Sequence, residues 1–167
     1  MRVQIPVTPC VRFLRAHGVG FTPHLYRYEE HGGTRVAAEA LHVDEHAVVK
    51  TLVMEDERGS ALLVLMHGDR EVSTKELARI LRVKSIAPCD PAAASRRTGY
   101  LVGGTSPFGT RTPLPVYAES TVFDLPIIYL NGGKRGFLVG IAPGELKRVL
   151  DVREVNVAQK QILNSDL

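Results

Sequence analysis

Apolar and polar positions follow two different periods along the chain, which predict short helices and strands in irregular succession. Segments with apolar residues three and four apart, each preceded by a capping residue, predict helices. Runs of consecutive or alternating apolar residues between turn residues predict strands. The predicted helices cover about 8–17, 34–41, 44–50, 73–81, 90–97 and 144–150, and the predicted strands lie in PHLYRYEE, TLVMEDERGSALLVLM, SIAP, LPVYAES and IIYLNGGKRGFLVGI.

Two of these strand segments are predicted to be hairpins, one turning at residues 56–59 and the other across Asn131, Gly132 and Gly133. The order of elements has neither a repeat nor a regular strand-helix-strand rhythm, which is typical of an α+β fold around a mixed sheet. A length of 167 residues fits one domain. We therefore expect a single domain over 1–167, with a core at about 8–155 and a loose tail in the last ten residues.

The composition changes this picture little. With 44% hydrophobic and 23% charged residues, and no apolar run near the roughly 18 residues of a membrane span, we expect a soluble protein. The N-terminal residues lack the apolar core of a signal peptide, which predicts a cytoplasmic location. Cys10 and Cys89 stand in unlike contexts, so we expect both to be reduced and buried. A formal charge of +3 is compatible with a polyanionic partner.

One motif resembles a zinc site. Residues 42–46, HVDEH, fit H-x-x-E-H, in which two histidines one helical turn apart bind zinc. The motif needs an unbroken helix, whereas Asp44 stands where a cap between two short helices is expected. We therefore expect His42 and His46 to be surface residues and predict no metal site, which leaves a zinc hydrolase as a third hypothesis for the function.

Three glycine-containing motifs lack a residue or context that their chemistry needs. Residues 104–109 have phosphate-loop spacing, but Thr110 and Arg111 replace the lysine and hydroxyl residue of that motif. Ser106 is not in a nucleophile elbow, because Phe108 replaces the second glycine. The GKRG at 133–136 joins two predicted strands, whereas the matching RNA-binding loop joins two helices. These patterns predict neither a nucleotide hydrolase nor a serine hydrolase.

Three segments taken together carry a more specific signal: Val48 to Leu52 (VVKTL), residues 99–109 (GYLVGGTSPFG) and residues 132–136 (GGKRG), with a Tyr-x-x-Glu at Tyr26 to Glu29. In this order and separation they resemble the YbaK family, relatives of the editing domain of bacterial prolyl-tRNA synthetases. The resemblance spans roughly residues 8–155. It implies a mixed, partly barrel-like sheet with flanking helices.

The resemblance also implies an activity, the hydrolysis of wrongly aminoacylated tRNA, chiefly tRNA for proline. An aminoacyl ester is already activated, so water or a neighbouring hydroxyl can attack it once a site orients the ester and stabilises the oxyanion. Glycine N–H groups can approach a carbonyl closely, and one such donor is typically worth about 10²–10³ in rate. No cofactor is implied. The implied partners are the acceptor stem and terminal adenosine of mischarged tRNA, with prolyl-tRNA synthetase as a further candidate.

The resemblance implies the role of Lys50, and the chemistry of the residues around it suggests roles for the others. Lys50 would be the catalytic cation, and Gly103 and Gly104 would donate amides to the oxyanion. The substrate-binding residues would be Tyr26, Thr51, Thr105, Ser106, Pro107, Asn131, Gly132 and Gly133, and the tRNA-binding residues would be Arg111, Lys134 and Arg135.

Several of these roles have structural alternatives. Lys50 could be a solvated cation at a helix end. Thr51 could pack in the sheet, Tyr26 could bury against the first helix, and Asn131 could serve a left-handed turn.

The amino acid to be removed stays open among cysteine, serine, threonine and alanine. Cysteine-specific relatives have a serine before the Gly-Gly-Lys-Arg-Gly loop and an aspartate two positions after it, where this chain has Asn131 and Leu138. The departure disfavours a cysteine-only specificity. An Asn131 amide could bind a hydroxyl, so serine and threonine become credible, with alanine behind them. The alternative to an enzyme is a non-catalytic tRNA-binding or regulatory module on the same fold.

Overall fold

A computed structural model of the protein describes residues 4–161, and three of its α-helices begin at residues whose side chains cap them. The α-helices are α1 (Pro9–Ala16), α2 (Gly33–Leu41), α3 (Thr74–Leu81), α4 (Pro91–Thr98) and α5 (Gly144–Val149), with short 3₁₀ helices at Glu45–Ala47 and Ser120–Asp124. The Thr8, Ser73 and Asp90 side chains accept from the backbone N–H three residues later, and so cap α1, α3 and α4. These caps confirm the helix starts predicted there. No helix within the described range is long and apolar enough to cross a membrane.

Within the described residues the strands form three sheets. They are β1 (Thr22–Leu25), β2 (Val49–Asp56), β3 (Ala61–His67), β4 (Arg70–Val72), β5 (Ile86–Pro88), β6 (Val116–Glu119), β7 (Ile128–Lys134), β8 (Phe137–Ile141), β9 (Val152–Val155) and β10 (Ala158–Lys160). The largest sheet has the order β5-β2-β3-β6-β9, with antiparallel pairs on both sides of β2 and parallel pairs on both sides of β6. Antiparallel strands in the order β1-β8-β7 form the second sheet, and β10 pairs with β4.

The five-stranded and three-stranded sheets meet at one parallel bridge, between Val48 and Tyr129. The largest apolar cluster contains buried side chains from both sheets and from α1, among them Leu14, Leu65 and Phe137. A second cluster lies under α3. The sheets remain open rather than closing into a barrel, and this mixed α+β arrangement confirms the predicted fold class.

Four predicted elements need correction. The segment 23–30 is extended only in part, because β1 ends at Leu25. The helix predicted for 44–50 is a single 3₁₀ turn, and β2 begins at Val49 because Val48 and Val49 are buried apolar residues that pair in sheets. The predicted tail covers 158–167, but its first residues form β10 against β4. Residues 162–167 lie outside the described part of the chain.

The fourth correction concerns the β7–β8 hairpin. Strand β7 continues through Asn131, Gly132 and Gly133 with a bulge, and the chain turns at residues 135–136. Gly136 has a φ of +80°, and a Cβ at this position would lie 2.7 Å from the Tyr26 carbonyl oxygen. Only glycine fits there, which fixes the turn at residues 135–136 rather than at the predicted 131–133.

Candidate active site

A cavity of about 540 Å³ opens beside β2. Its walls come from β2, α2, the start of α4, the segment after β1 and the glycine loop, which we define as residues 101–109. Of the residues predicted for the site, the cavity is lined by Tyr26, Lys50, Thr51, Gly103, Thr105, Asn131 and Arg135. These residues come from four separate parts of the sequence, which the fold brings together.

The outer edge of β2 forms one wall. Strand β3 pairs with β2 along its length, whereas β5 pairs only from Met54 onwards. The Val53 carbonyl oxygen accepts a hydrogen bond from the Cys89 N–H, so the Val53 backbone points away from β3. Because backbone direction alternates along a strand, the Thr51 N–H and C=O point the same way. The strand edge between the Val48–Tyr129 bridge and Val53 therefore offers backbone hydrogen-bonding groups to the cavity.

Lys50 is half-buried in β2 and lines the cavity. Burial lowers the pKa of Lys50, while the carboxylates of Glu71, Glu45 and Asp69 act in the opposite direction. Within residues 4–161 none of these carboxylates lies close enough to Lys50 for an ion pair. The helix-end alternative for this lysine is wrong because Lys50 lies in a strand.

Gly103 is the exposed corner of the glycine loop. Its φ is +91°, and a Cβ there would lie 2.8 Å from the Tyr28 hydroxyl oxygen, so a side chain would be both strained and obstructed. Its carbonyl oxygen accepts a hydrogen bond of 2.7 Å from Asn131 Nδ2. Its N–H donates to no group in the described chain. That N–H is free to meet a ligand.

The predicted second donor, Gly104, is already used. Its N–H donates to the Leu101 carbonyl oxygen at 2.8 Å and closes a turn within the loop. The residue is buried, and a Cβ there would lie 3.3 Å from the Lys134 backbone. Gly104 therefore allows the loop to pack closely on the β7–β8 turn and contributes no free amide, contrary to the prediction for this residue.

Thr105 lines the cavity, but its neighbours Ser106 and Pro107 do not. Ser106 is fully buried, and its Oγ accepts a hydrogen bond from the Phe108 N–H at 3.1 Å. Beside it, burial raises the pKa of the Cys10 thiol to about 11. Ser106 and Pro107 are both buried and do not line the cavity, so their positions do not support the predicted contacts with substrate.

Asn131 connects β7 to the glycine loop. Its Nδ2 donates to Gly103 O, and its Oδ1 accepts from the Gly133 N–H at 2.9 Å. Gly132 and Gly133 do not line the cavity. A Cβ would overlap the ring of buried Phe137 at the first and would lie 2.8 Å from Tyr100 at the second. The two glycines are needed for close packing rather than for contact with substrate.

The basic residues predicted to meet tRNA lie in two places. Lys134 and Arg135 are exposed at the tip of the β7–β8 hairpin, and Arg135 lines the cavity mouth. Arg111 follows the glycine loop, its N–H donates to the Thr98 carbonyl oxygen, and its side chain lies against Gly99 outside the cavity lining.

Two tyrosines stand on the segment after β1. Tyr26 lines the cavity, where burial and the neighbouring Tyr28 raise its pKa. Tyr28, which the sequence analysis did not select, also lines the cavity and holds the Arg135 guanidinium 5.3 Å from its ring centroid. Its spacing of two residues from Tyr26 was the available signal, since alternate residues of an extended segment share a face.

A buried hydroxyl and a cysteine complete the wall. Thr51 Oγ1 is buried and finds no hydrogen-bond partner in residues 4–161. Cys89 lines the cavity near Glu55 and was expected only to be buried. Both cysteines are free and buried, as predicted. An unpaired buried hydroxyl is costly in a folded protein, which makes Thr51 a candidate for contact with a ligand.

The histidines of the zinc-like motif are separated by the backbone. His42 ends α2 in a left-handed conformation, with a φ of +57°. His46 lies in the following 3₁₀ turn, where its Nδ1 is 2.8 Å from an Asp69 oxygen and its ring stacks on His67. Within the described residues no three potential metal ligands come together. The unbroken helix that the motif requires is absent from residues 42–46.

Comparison with known proteins identifies the family. A model of the aminoacyl-tRNA editing domain matches residues 30–149. A relative from Enterococcus faecalis, named "Putative Cys-tRNA(Pro)/Cys-tRNA(Cys) deacylase EbsC", is 24% identical over 92% of this chain and 94% of its own length. The proline–tRNA ligase of Desulfotalea psychrophila is 31% identical over 68% of this chain, a match that takes up 20% of the ligase.

Solved structures agree on the fold. A crystal structure described as "a putative trans-editing enzyme for prolyl tRNA synthetase" has a TM-score of 0.79 and 24% identity, covering 92% of this chain and 99% of the other. A hypothetical protein has a TM-score of 0.82 and 21% identity, covering 90% and 99%. Because the family model matches more than half of the chain, this protein belongs to the aminoacyl-tRNA editing domain family, as its resemblance to the YbaK family predicts.

Proposed function

We propose that the protein is a trans-acting deacylase that hydrolyses the ester bond of mischarged aminoacyl-tRNA, chiefly tRNA for proline. The observation that carries the proposal is that one cavity is lined by Lys50, by Gly103 with its free N–H and by Thr51 with its unpaired hydroxyl. The name of the Enterococcus relative and the matching segments of proline–tRNA ligases support the substrate class. A proline–tRNA ligase is accordingly a candidate partner, and the cytoplasm is the expected location.

The chemistry follows from what each group can stabilise. A water oxygen attacks the ester carbonyl carbon, and the carbonyl oxygen becomes an oxyanion. The Gly103 N–H donates to that oxyanion, and the Lys50 ammonium offsets its charge in a site where burial weakens screening. The bond between carbonyl carbon and ribose oxygen then breaks, and the proton lost by water ends on the ribose hydroxyl. The free amino acid and an intact tRNA leave.

The cavity wall suggests which amino acids are removed. The Asn131 amide is already bonded to Gly103 and Gly133. Thr51 Oγ1 is therefore the better candidate to accept a hydrogen bond from a polar side chain of the esterified amino acid. Leu138 lines the cavity where cysteine-specific relatives have an aspartate. We propose small residues as substrates, with serine, threonine and cysteine ahead of alanine. A synthetase pocket shaped for proline rejects such residues weakly, which is why a second pocket is needed.

The test is a panel of proline tRNAs charged with labelled cysteine, serine, threonine, alanine or proline, with release measured in single turnovers. Lys50→Ala should lower kcat/KM by about 10²-fold, the typical effect of losing one oxyanion-stabilising group. Lys75→Ala, which removes an exposed lysine of α3, is the matched control. Circular dichroism of each variant checks folding. Release of none of the amino acids by the wild-type protein would refute the proposal.

The exposed basic pair at the hairpin tip favours one alternative, a tRNA-binding module without turnover. Among the described residues neither Lys134 nor Arg135 forms an ion pair, so both charges are available to phosphates. This alternative predicts salt-dependent binding of tRNA with no release of amino acid, and Lys50→Ala would then alter affinity alone.

A further inference from the structure

The mouth of the cavity carries an apolar surface. Leu101 is 66% exposed and Val102 is 48% exposed, although Phe108 in the same loop is fully buried. Val102 also lines the cavity, so this surface is continuous with it. Two adjacent large apolar side chains left in water beside a cavity indicate a surface that a ligand covers.

Arg135 extends this surface with a flat cation. Its guanidinium lies over the Tyr28 ring, with 5.3 Å between its central carbon and the ring centroid. Its Nε donates to the Val102 carbonyl oxygen at 2.9 Å, which ties the arginine to the glycine loop. Its remaining N–H groups donate to no other side chain or backbone group in the described chain. The guanidinium is therefore held in place with N–H groups still free.

We propose that Leu101, Val102 and Arg135 form a platform on which the nucleobase preceding the esterified adenosine stacks, an inference that rests on the proposed function. A nucleobase is a flat apolar group attached to an anion, and this platform combines apolar side chains, a guanidinium plane and donors for a phosphate. Single-stranded RNA is commonly bound by stacking on aromatic and arginine planes beside a basic groove.

The charges around the cavity mouth indicate the path by which a single-stranded RNA end would enter. Lys134 is exposed next to Arg135, whereas Glu29 and Glu30 line the cavity beside Tyr28. Carboxylates disfavour a nearby phosphate, so the nucleotide backbone should follow the hairpin tip rather than the segment after β1. A single-stranded end entering this way would place its terminal adenosine in the cavity and the preceding base on the platform.

The test compares two substrates that differ in one base. One is the mischarged tRNA that the wild-type protein hydrolyses, and the other has an abasic nucleotide before the terminal adenosine. We expect the abasic substrate to lose about tenfold in kcat/KM, mainly through KM, the size typical of one stacked base. Leu101→Ser and Arg135→Lys should each reduce kcat/KM on the intact tRNA and cause little further loss on the abasic one.

Matched controls are Ile80→Ser, an exposed apolar residue of α3, and Arg153→Lys in β9, neither of which lines the cavity. Equal hydrolysis of the two tRNAs by the wild-type protein would overturn the platform. A fall in kcat/KM of the same size on both tRNAs in Leu101→Ser would also overturn it, because it would indicate that something other than the base, such as a protein surface, covers Leu101. If the wild-type protein hydrolyses neither tRNA, the proposed function has failed. Fluorescence anisotropy with both tRNAs then decides the platform alone, since equal affinities would overturn it.

Discussion

Replacing Asn131 tests whether one amide positions the free N–H of Gly103. In the structure Asn131 Nδ2 donates to Gly103 O at 2.7 Å, and Oδ1 accepts from Gly133 N–H at 2.9 Å. Asn131→Ala removes both hydrogen bonds. Asn131→Asp keeps the acceptor for Gly133 but sets a carboxylate oxygen against the Gly103 carbonyl oxygen, so the two oxygens repel each other.

The magnitude follows from the two hydrogen bonds. Each contributes about 0.5–1.5 kcal/mol, and the half-buried position of Asn131 places the sum at about 1–2 kcal/mol. For a chain of this size that corresponds to a fall in Tm of roughly 2–8 °C. Catalysis should suffer more, because a displacement of about 1 Å in a catalytic group can cost about 10²-fold in rate. We expect kcat/KM to fall by about 10–100-fold in Asn131→Ala and further in Asn131→Asp.

The assay measures Tm by circular dichroism and deacylation in single turnovers at a temperature where every variant is folded. Asn156→Ala is the control, because it also removes a side-chain amide that accepts a hydrogen bond, from Ser120, and lies outside the cavity. Two results would refute the reasoning. A variant of Asn131 with wild-type activity and a lowered Tm would mean that Asn131 is structural only, and a variant with an unchanged Tm would mean that its two hydrogen bonds do not stabilise the fold.

Three further changes have expected outcomes. Thr51→Val removes the unpaired buried hydroxyl, so the free energy of unfolding measured with urea should rise by about 1 kcal/mol, while hydrolysis of seryl-tRNA slows several-fold. If hydrolysis of alanyl-tRNA slows as well, Thr51 does not contact the side chain of the substrate. Burial lowers the pKa of His67, so below the ordinary value of 6.5 the unfolded chain binds a proton that the folded chain resists, and stability falls as pH decreases. His67→Gln should flatten this fall below pH 6.5 in thermal denaturation. Gly132→Ala places a methyl against Phe137 and should cost about 1–3 kcal/mol by urea denaturation, whereas a stability equal to wild type would mean that the ring moves freely.

The parts of the fold that were predictable are those decided by local chemistry. Thr8, Ser73 and Asp90 cap helices because their side chains reach the N–H three residues on, and that geometry depends on no distant residue. The β2–β3 hairpin follows from two apolar runs around a polar turn. The turn between β7 and β8 was placed wrongly because several glycines in succession permit a turn equally well.

The lining of the cavity was predictable to the extent that the family motifs mark it, and the roles of its residues stay predictions. Lys50, Gly103 and Asn131 do meet at one cavity, although the helical pattern around Lys50 gave the wrong element for it. Ser106 belongs to the same loop but is buried instead of lining the cavity. Its Oγ is bonded to the N–H of Phe108, whose ring packs in the core, and this packing depends on distant parts of the chain. The spacing from Tyr26 could have pointed to Tyr28, but its contact with Arg135, more than a hundred residues later, follows only from the fold.

The unpaired part of β2 has a consequence for solubility in a crowded solution. A strand edge usually invites another chain to add itself to the sheet, and long flat edges promote aggregation. Here the open stretch covers only residues 50–52, because the Val48–Tyr129 bridge closes one end and the Cys89 N–H bonded to Val53 closes the other. A neighbouring strand cannot form a ladder in so short a gap, whereas the aminoacyl group of the proposed substrate is short enough for it. The same edge therefore offers hydrogen bonds to a small ligand and denies them to a second polypeptide.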